Sequence, residues 1–207
     1  MPFKLPRLYP ITDARLSGLS HAEQVLRLSL GGARTVQLRE KQKEAREFFI
    51  EAEAALQVAR AKGVRLIIND RVDLALALGA DGVHLGQDDL PPEAARGILG
   101  PGAVIGFSTH NLEQALAAAR LPIDYLALGP IFPTTSKENP DPLVGLDGLR
   151  RVRKAVPHLP LVAIGGITLE NALEVLAAGA DSLAVIGSLL TEPERIEATT
   201  KDWISRL

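Results

Sequence analysis

The segment Val36-Gln37-Leu38-Arg39-Glu40-Lys41 alternates along its length in a way that bears on chemistry. In an extended strand, period-two alternation sends Gln37, Arg39 and Lys41 to one side and Val36, Leu38 and Glu40 to the other. If Val36 and Leu38 pack on helices, an amide and two cations point inward. A buried cation without a partner costs several kcal/mol, so an anion is required beside them. Glu40, Asp70 or Asp89 would supply it for architecture alone; an anionic substrate would supply it for chemistry.

Asp70 and the pair Asp88-Asp89 offer carboxylates with only oxygen or imidazole available as metal ligands, since the chain has no cysteine. Mg²⁺ suits such a set, because it takes one or two carboxylates and completes its shell with water and substrate phosphate. An aspartate that ends a strand also serves as a helix N-cap, and Asp70 stands just before a helix expected from Val72; both readings stand at this point. Gly165-Gly166 and Gly187-Ser188 expose backbone N–H groups for a phosphate, and Thr134-Thr135-Ser136-Lys137 adds hydroxyls and a cation on a long loop. Two phosphate sites imply two phosphorylated small-molecule ligands and group transfer between them. His84 and His110 read as structural histidines, and no Ser-His-Asp arrangement stands at a recognisable spacing. Lys137 keeps a Schiff-base reading open.

Such residues need a scaffold that gathers them. Short β-branched runs at Leu8–Thr12, Thr35–Arg39, Arg65–Asn69, Gly82–Leu85, Val104–Ser108, Tyr125–Gly129, Leu161–Gly165 and Ser182–Ile186 read as strands. Helical periodicity fills the intervals at Ala22–Ser29, Lys43–Ala61, Val72–Leu78, Pro92–Ile98, Leu112–Ala119, Leu146–Ala155, Leu169–Ala178 and Pro193–Ile204. This order implies parallel strands with right-handed crossovers. Pro10-Ile11-Thr12-Asp13 stands where a dinucleotide-binding sheet carries its glycines, so a single α/β (β/α)₈ TIM barrel over residues 1–207 is expected in preference to a doubly wound sheet. An internal echo, Leu78-Gly79-Ala80-Asp81-Gly82-Val83 against Ala178-Gly179-Ala180-Asp181-Ser182-Leu183, lies half a barrel apart. Its glycines are placed to stop helices. Turns entering the strands, such as Lys62-Gly63 and Leu159-Pro160, are small or apolar, whereas turns leaving them carry the polar residues; one rim is functional and the other structural.

Composition narrows the partners. With 207 residues and 46% of them hydrophobic, the chain can bury the core of a small barrel. A formal charge of −2 offers no basic field for nucleic acid and no polybasic segment for a membrane. The absence of cysteine fits a reducing compartment, and residues 1–10 read as neither a signal peptide nor a spanning helix, so a cytoplasmic location is expected. A homo-oligomer stays open, with Trp203 and Ile204 placed either to seal the barrel or to meet a second subunit.

Six stretches together carry a resemblance: Gln37–Lys41, Asn69–Asp73, Gly82–Pro91, Gly106–His110, Gly129–Lys137 and Ala163–Ile167. In this order, on successive strand ends, they resemble the thiamine phosphate synthase family over essentially the whole chain. The resemblance implies that 4-amino-5-hydroxymethyl-2-methylpyrimidine diphosphate binds Gln37, Leu38, Arg39, Glu40, Lys41, Asn69, Ser108 and Lys137. It implies Mg²⁺ on Asp70 and Asp89, and a thiazole phosphate against Thr134, Thr135, Ser136, Gly166, Ile186 and Gly187. Arg39, Lys41, Ser108 and Lys137 would be the catalytic groups: diphosphate departs, the aminopyrimidine stabilises a methylene cation, and the thiazole nitrogen captures it. One departure is that Ile186-Gly187 stands where members carry Val-Ser, with serine one place later at Ser188. The related thiazole tautomerase, which moves a proton and needs no diphosphate site, is the nearest rival; Gly129-Pro130 lacks its marker histidine. A non-catalytic binder of thiamine precursors is the rival from another class.

Overall fold

The computed structural model describes residues 4–134 and 141–207. Eight short parallel strands close in chain order: β1 (Leu8–Thr12), β2 (Thr35–Leu38), β3 (Arg65–Asn69), β4 (Gly82–Leu85), β5 (Val104–Thr109), β6 (Tyr125–Leu128), β7 (Leu161–Ile164) and β8 (Ser182–Val185), which returns to β1. The helices are α1 (Ala14–Ser17), α2 (His21–Leu30), α3 (Ala45–Lys62), α4 (Val72–Leu78), α5 (Pro92–Leu99), α6 (Leu112–Ala118), α7 (Gly145–Ala155), α8 (Ala172–Ala177), α9 (Gly187–Leu190) and α10 (Ile196–Arg206). The expected (β/α)₈ barrel is the fold.

The boundaries shift where the chain enters the mouth. β2, β6, β7 and β8 each stop one residue earlier than the apolar runs predict, because Arg39, Gly129, Gly165 and Ile186 already belong to loops. The helix predicted from Leu169 begins at Ala172. Asn171 holds the preceding loop, accepting from Thr168 N at 2.9 Å and donating to Gly166 O at 3.1 Å. The helix predicted from Pro193 is a 3₁₀ turn, Pro193–Arg195, followed by α10. Two short helices after β1 and β8 were outside the prediction, since a single turn leaves too little periodicity to read.

Strand alternation sorts the core into two clusters. Val36, Leu38, Leu66, Ile68, Val83, Leu85, Ile105, Leu126, Leu128 and Leu161 face outward and pack beneath the helices. Tyr9, Ile11, Ile67, Val104, Tyr125, Ala127, Val162 and Ala184 fill the barrel interior. Volume is balanced between neighbouring strands. A Cβ on Gly106 would lie 2.0 Å from Tyr125 Cζ and 2.5 Å from His84 Nδ1, so only glycine leaves room for those rings.

The rim where the chain enters the strands is structural. Carboxylates of Asp81, Asp124 and Asp181 accept the N–H groups of Leu66, Ile105 and Leu161 at 2.8, 2.7 and 2.8 Å, extending the ladder past its end. The internal echo thus has one physical role in both copies. Gly79 adopts the left-handed φ of 61° that terminates α4, and Gly179 a φ of 115° after α8. No helix of the described residues is long and apolar enough to cross a membrane.

Trp203 of α10 is buried in the outer core, which assigns it to sealing the barrel wall, while Ile204 is partly exposed. Gly31 at the end of α2 permits this closure: a Cβ there would lie 2.5 Å from Thr200 Cβ and 2.6 Å from Glu197 O. Replacing Trp203 by alanine is expected to cost about 3–5 kcal/mol in urea unfolding. A loss below about 1 kcal/mol would show that α10 is not part of the cooperative core.

Candidate active site

The polar residues predicted on the exit rim converge on one cavity of about 820 Å³ at the C-terminal mouth of the barrel. Gln37, Arg39, Lys41, Asn69, Asp70, Asp89, Ser108, Thr134, Gly166, Ile186 and Gly187 all line it. Thr135, Ser136 and Lys137 lie outside the described residues. Leu38 and Glu40 do not reach the cavity. Leu38 is fully buried in the outer core, and the Glu40 carboxylate faces α2 and α3, 3.5 Å from His21 Nε2. The alternation that turns Arg39 and Lys41 inward turns these two outward, so only their backbone can serve a ligand.

Lys41 Nζ forms an ion pair with Asp70, and Arg39 Nη1 lies 3.6 Å from Asp13 Oδ2. Asp13 was not among the expected counterions, because it follows the first strand and its charge meets Arg39 only through β1–β2 pairing. Its other oxygen accepts from Leu16 N at 2.9 Å and caps α1. Asp70 is not the N-cap of α4; Arg71 occupies that position. Instead Asp70 adopts φ 62°, the one left-handed non-glycine backbone among the described residues. That conformation costs of order 1 kcal/mol and is typical of functional loops. It directs the carboxylate at Lys41 and within hydrogen-bond reach of Asp89.

Asp89 accepts the Gly86 N–H at 2.6 Å, which fixes one of its oxygens. Burial and the neighbouring Asp70 carboxylate hold Asp89 above the usual carboxylate range, against the pull of the Gly86 N–H and Lys41. Two carboxylates this close favour either a shared proton or a cation between them. The buried Asn69 Nδ2, also on the cavity wall, has no hydrogen-bond partner among the described residues. It is a donor that a ligand acceptor would satisfy.

Beneath the charged rim runs a chain of hydrogen bonds. Gln37 Nε2 donates to Tyr9 OH (3.3 Å), Tyr9 OH meets Tyr125 OH (2.8 Å), Tyr125 OH meets His84 Nδ1 (2.9 Å), and His84 Nε2 meets Ser108 Oγ (2.8 Å). With the Gln37 amide turned to donate to Tyr9, one order uses every proton. With Gln37 donating to Tyr9, the Tyr9 proton passes to Tyr125 and the Tyr125 proton to His84 Nδ1; the His84 Nε2–H then goes to Ser108. The reverse order strands the fully buried Tyr9 proton without an acceptor among these groups. In that order Ser108 accepts from His84 and keeps its own proton for a group in the cavity. Burial pushes Tyr9 up to about 12 and Tyr125 well above the ordinary tyrosine value, so both stay protonated. The sequence alone marks His84 as structural, yet it lines the cavity and, in that order, donates to Ser108. The signal was available: Val83 and Leu85 face the helices, so His84 between them must face the axis.

On the far side of the mouth, Gly165 and Gly166 adopt φ 100° and 63°. A Cβ on Gly165 would lie 2.6 Å from Pro130 Cα, and one on Gly166 2.5 Å from Pro133 O. Gly187, by contrast, has open space at its Cβ position. Ser188 Oγ donates to Ile167 O at 2.9 Å, so its hydroxyl proton is committed to the backbone. It is therefore not free to act as the serine that the resemblance places one residue earlier. His110 Nδ1 lies 2.8 Å from Gly129 O and 3.5 Å from Asp141, tying together the loops that leave β5 and β6.

Comparison with known proteins bears on this geometry. The model of the thiamine monophosphate synthase family matches residues 8–189. The chain belongs to that family. A thiamine-phosphate synthase of Koribacter versatilis is 52% identical over 93% of this chain and 92% of its own length. One from Chloroflexus aurantiacus is 49% identical over 89% and 85%. The solved structure of a thiamine phosphate pyrophosphorylase from Pyrococcus furiosus superposes with a TM-score of 0.86 at 39% identity, covering 97% of this chain and 94% of that one.

Burial lowers His84 from 6.5 to about 4, so it is neutral in the folded protein near neutrality. Because the folded value lies below the unfolded one, its contribution is present above 6.5 and is lost as pH falls towards 4. Between pH 7 and pH 5 this group alone should remove about 2 kcal/mol. Urea melts at both pH values should show a smaller acid loss in His84→Gln than in the wild type. Equal losses would exclude His84 as the titrating group.

Proposed function

We propose that this chain condenses 4-amino-5-hydroxymethyl-2-methylpyrimidine diphosphate with a thiazole phosphate, releasing diphosphate, and CO₂ as well where the thiazole is carboxylated, and forming thiamine phosphate. The observation that carries the reading is the meeting of Arg39 and Lys41 with the Asp70/Asp89 pair at one barrel mouth. Cations alone would suit any phosphate, and carboxylates alone any metal. Their juxtaposition suits a metal-bound diphosphate.

The Asp70/Asp89 pair fits Mg²⁺: its donors are all oxygen, and burial beside a second carboxylate raises Asp89 in a way a divalent cation would reverse. Bound there, Mg²⁺ supplies neutralisation of the diphosphate charge. Arg39 and Lys41, together with Lys137, hold the diphosphate oxygens and stabilise the negative charge that grows as the carbon–oxygen bond breaks. Lys41 exchanges Asp70 for the substrate, so its ammonium is poised at the mouth before binding. Asn69 Nδ2 offers its unmet hydrogen bond, and Ser108 offers the proton that His84 leaves free. The bonding pair departs with diphosphate, and the lone pair of the thiazole nitrogen forms the new carbon–nitrogen bond. No side chain acts as nucleophile; binding both substrates face to face supplies the acceleration.

The thiazole phosphate lies against Thr134, Thr135, Ser136, Gly166 and the Ile186-Gly187 backbone in this reading. Gly187 contributes a backbone N–H and no hydroxyl. With no cysteine in the chain, the reducing cytoplasm is its proposed location.

Purified protein with Mg²⁺ and both substrates should release pyrophosphate, and neither substrate alone should suffice. A tautomerase or a precursor-binding protein would release none, and that result ends the synthase reading. Asp89→Ala should lower turnover about 10²–10³-fold while melting close to the wild type. Gly187→Ser enters open space and should lower KM for the thiazole phosphate by a factor of about 3–10, the worth of one added hydrogen bond. An unchanged KM in Gly187→Ser would place the phosphate away from this residue.

A further inference from the structure

We propose that His21, Glu40 and Glu51 form a divalent-cation site of their own, suited to Zn²⁺, on the outer wall of the barrel behind the strand end that carries Arg39 and Lys41. His21 opens α2, Glu51 lies on α3, and Glu40 follows β2, so three elements meet there. One ligand atom from each falls within 4.8 Å of the others. His21 Nε2 is 3.5 Å from Glu40 Oε2 and 3.8 Å from Glu51 Oε2. The first lies at the outer limit of a hydrogen bond and the second beyond it. They approach the ~3.4 Å ligand–ligand edge of a tetrahedral Zn²⁺ site with bonds near 2.1 Å.

Two orphaned atoms point into this space. His21 is fully buried, and among the described residues its Nε2 makes no well-formed hydrogen bond; neither does the buried Glu51 Oε2. The opposite ring nitrogen is already oriented, since His21 Nδ1 lies 2.8 Å from Thr12 Oγ1. Nδ1–H donating to that oxygen gives the tautomer a metal ligand requires, with the Nε2 lone pair facing the carboxylates; with Thr12 donating to Nδ1 instead, Nε2–H faces them and its proton leaves as the metal enters. Glu40 is fixed as well, with Oε1 accepting from Lys41 N and Gln42 N at 2.8 Å each, while Oε2 faces His21. Three protein ligands leave a fourth position for water.

The charged neighbour is Lys43, which pairs with Glu51 Oε1 and lies 3.8 Å from Glu40 Oε2. Its ammonium neutralises the two carboxylates. The Lys43 side chain is 24% exposed, so it has a path to solvent when a metal enters. A cation here would tie the β2 end to α2 and α3 and brace the backbone from which Arg39 and Lys41 project.

The test uses full-length protein carrying Asp70→Ala and Asp89→Ala, so that metal at the mouth does not contribute, and no thiamine precursor is present. Zn²⁺ is titrated against a chromophoric chelator. One Zn²⁺ per chain is expected, with affinity reduced at least about tenfold by Glu51→Gln. Lys43→Met, which removes the competing ammonium, should tighten binding. Zn²⁺ should also raise Tm, and Glu51→Gln should abolish the rise. Failure to bind Zn²⁺ at micromolar metal, or an affinity indifferent to Glu51→Gln, would overturn the proposal and leave the Lys43 ammonium as the sole countercharge. Neither outcome touches the synthase reading, because no substrate is present.

Discussion

When eight parallel strands close on themselves, each strand residue faces either the helices or the barrel axis, and a side chain that turns the wrong way has no second chance. Every functional feature of this chain follows from that constraint. Deep in the barrel the inward positions hold Ile67, Val104, Val162 and the two tyrosines, which pack as a core. One step nearer the exit rim the same faces hold Gln37, Asn69, His84 and Ser108, and beyond them the loops hold Arg39, Lys41, Asp70 and Asp89. Apolar packing supports a polar floor, and the polar floor supports a charged mouth.

Charge at the mouth is balanced, and the balance is exchangeable. Lys41 rests on Asp70 and Arg39 near Asp13, so neither cation is abandoned before substrate arrives. These are partly exposed pairs with modest net energies, easily traded for a diphosphate. Asp70 stands in a left-handed backbone that no cap explains, and Asp89 is raised by the neighbour it cannot avoid. Strain and carboxylate crowding both diminish in value as stability and gain in value as preparation for a cation. The floor below is prepared differently, by a proton order running from Gln37 to Ser108 that depends on tyrosines burial keeps protonated.

The opposite rim shows how similar chemistry serves stability when it meets strand N–H groups and structural arginines. Asp81, Asp124 and Asp181 are carboxylates at strand entrances, yet each is spent on a neighbouring strand's N–H. Their partners include Arg96 and Arg153, which also hold carbonyls of the adjacent turns. Residue type alone would not separate these aspartates from Asp70 and Asp89; position relative to the strand does.

From sequence alone, the order of strands and helices, the barrel, the functional rim and the inward trio Gln37, Arg39 and Lys41 were readable, because they rest on local periodicity and strand parity. The same parity placed Leu38 and Glu40 outside, although the family resemblance counted them as binding residues. What needed tertiary structure were the meetings between distant segments: Asp13 with Arg39, Asp70 with Asp89, Tyr9 with Tyr125 and His84, and His21 with Glu40 and Glu51. It also took the folded chain to show Asp70 released from capping and Ser188 bound to Ile167 O. Short-range pattern fixes which way a side chain points, but which partner it finds depends on strand register and barrel closure, and those are properties of the whole chain.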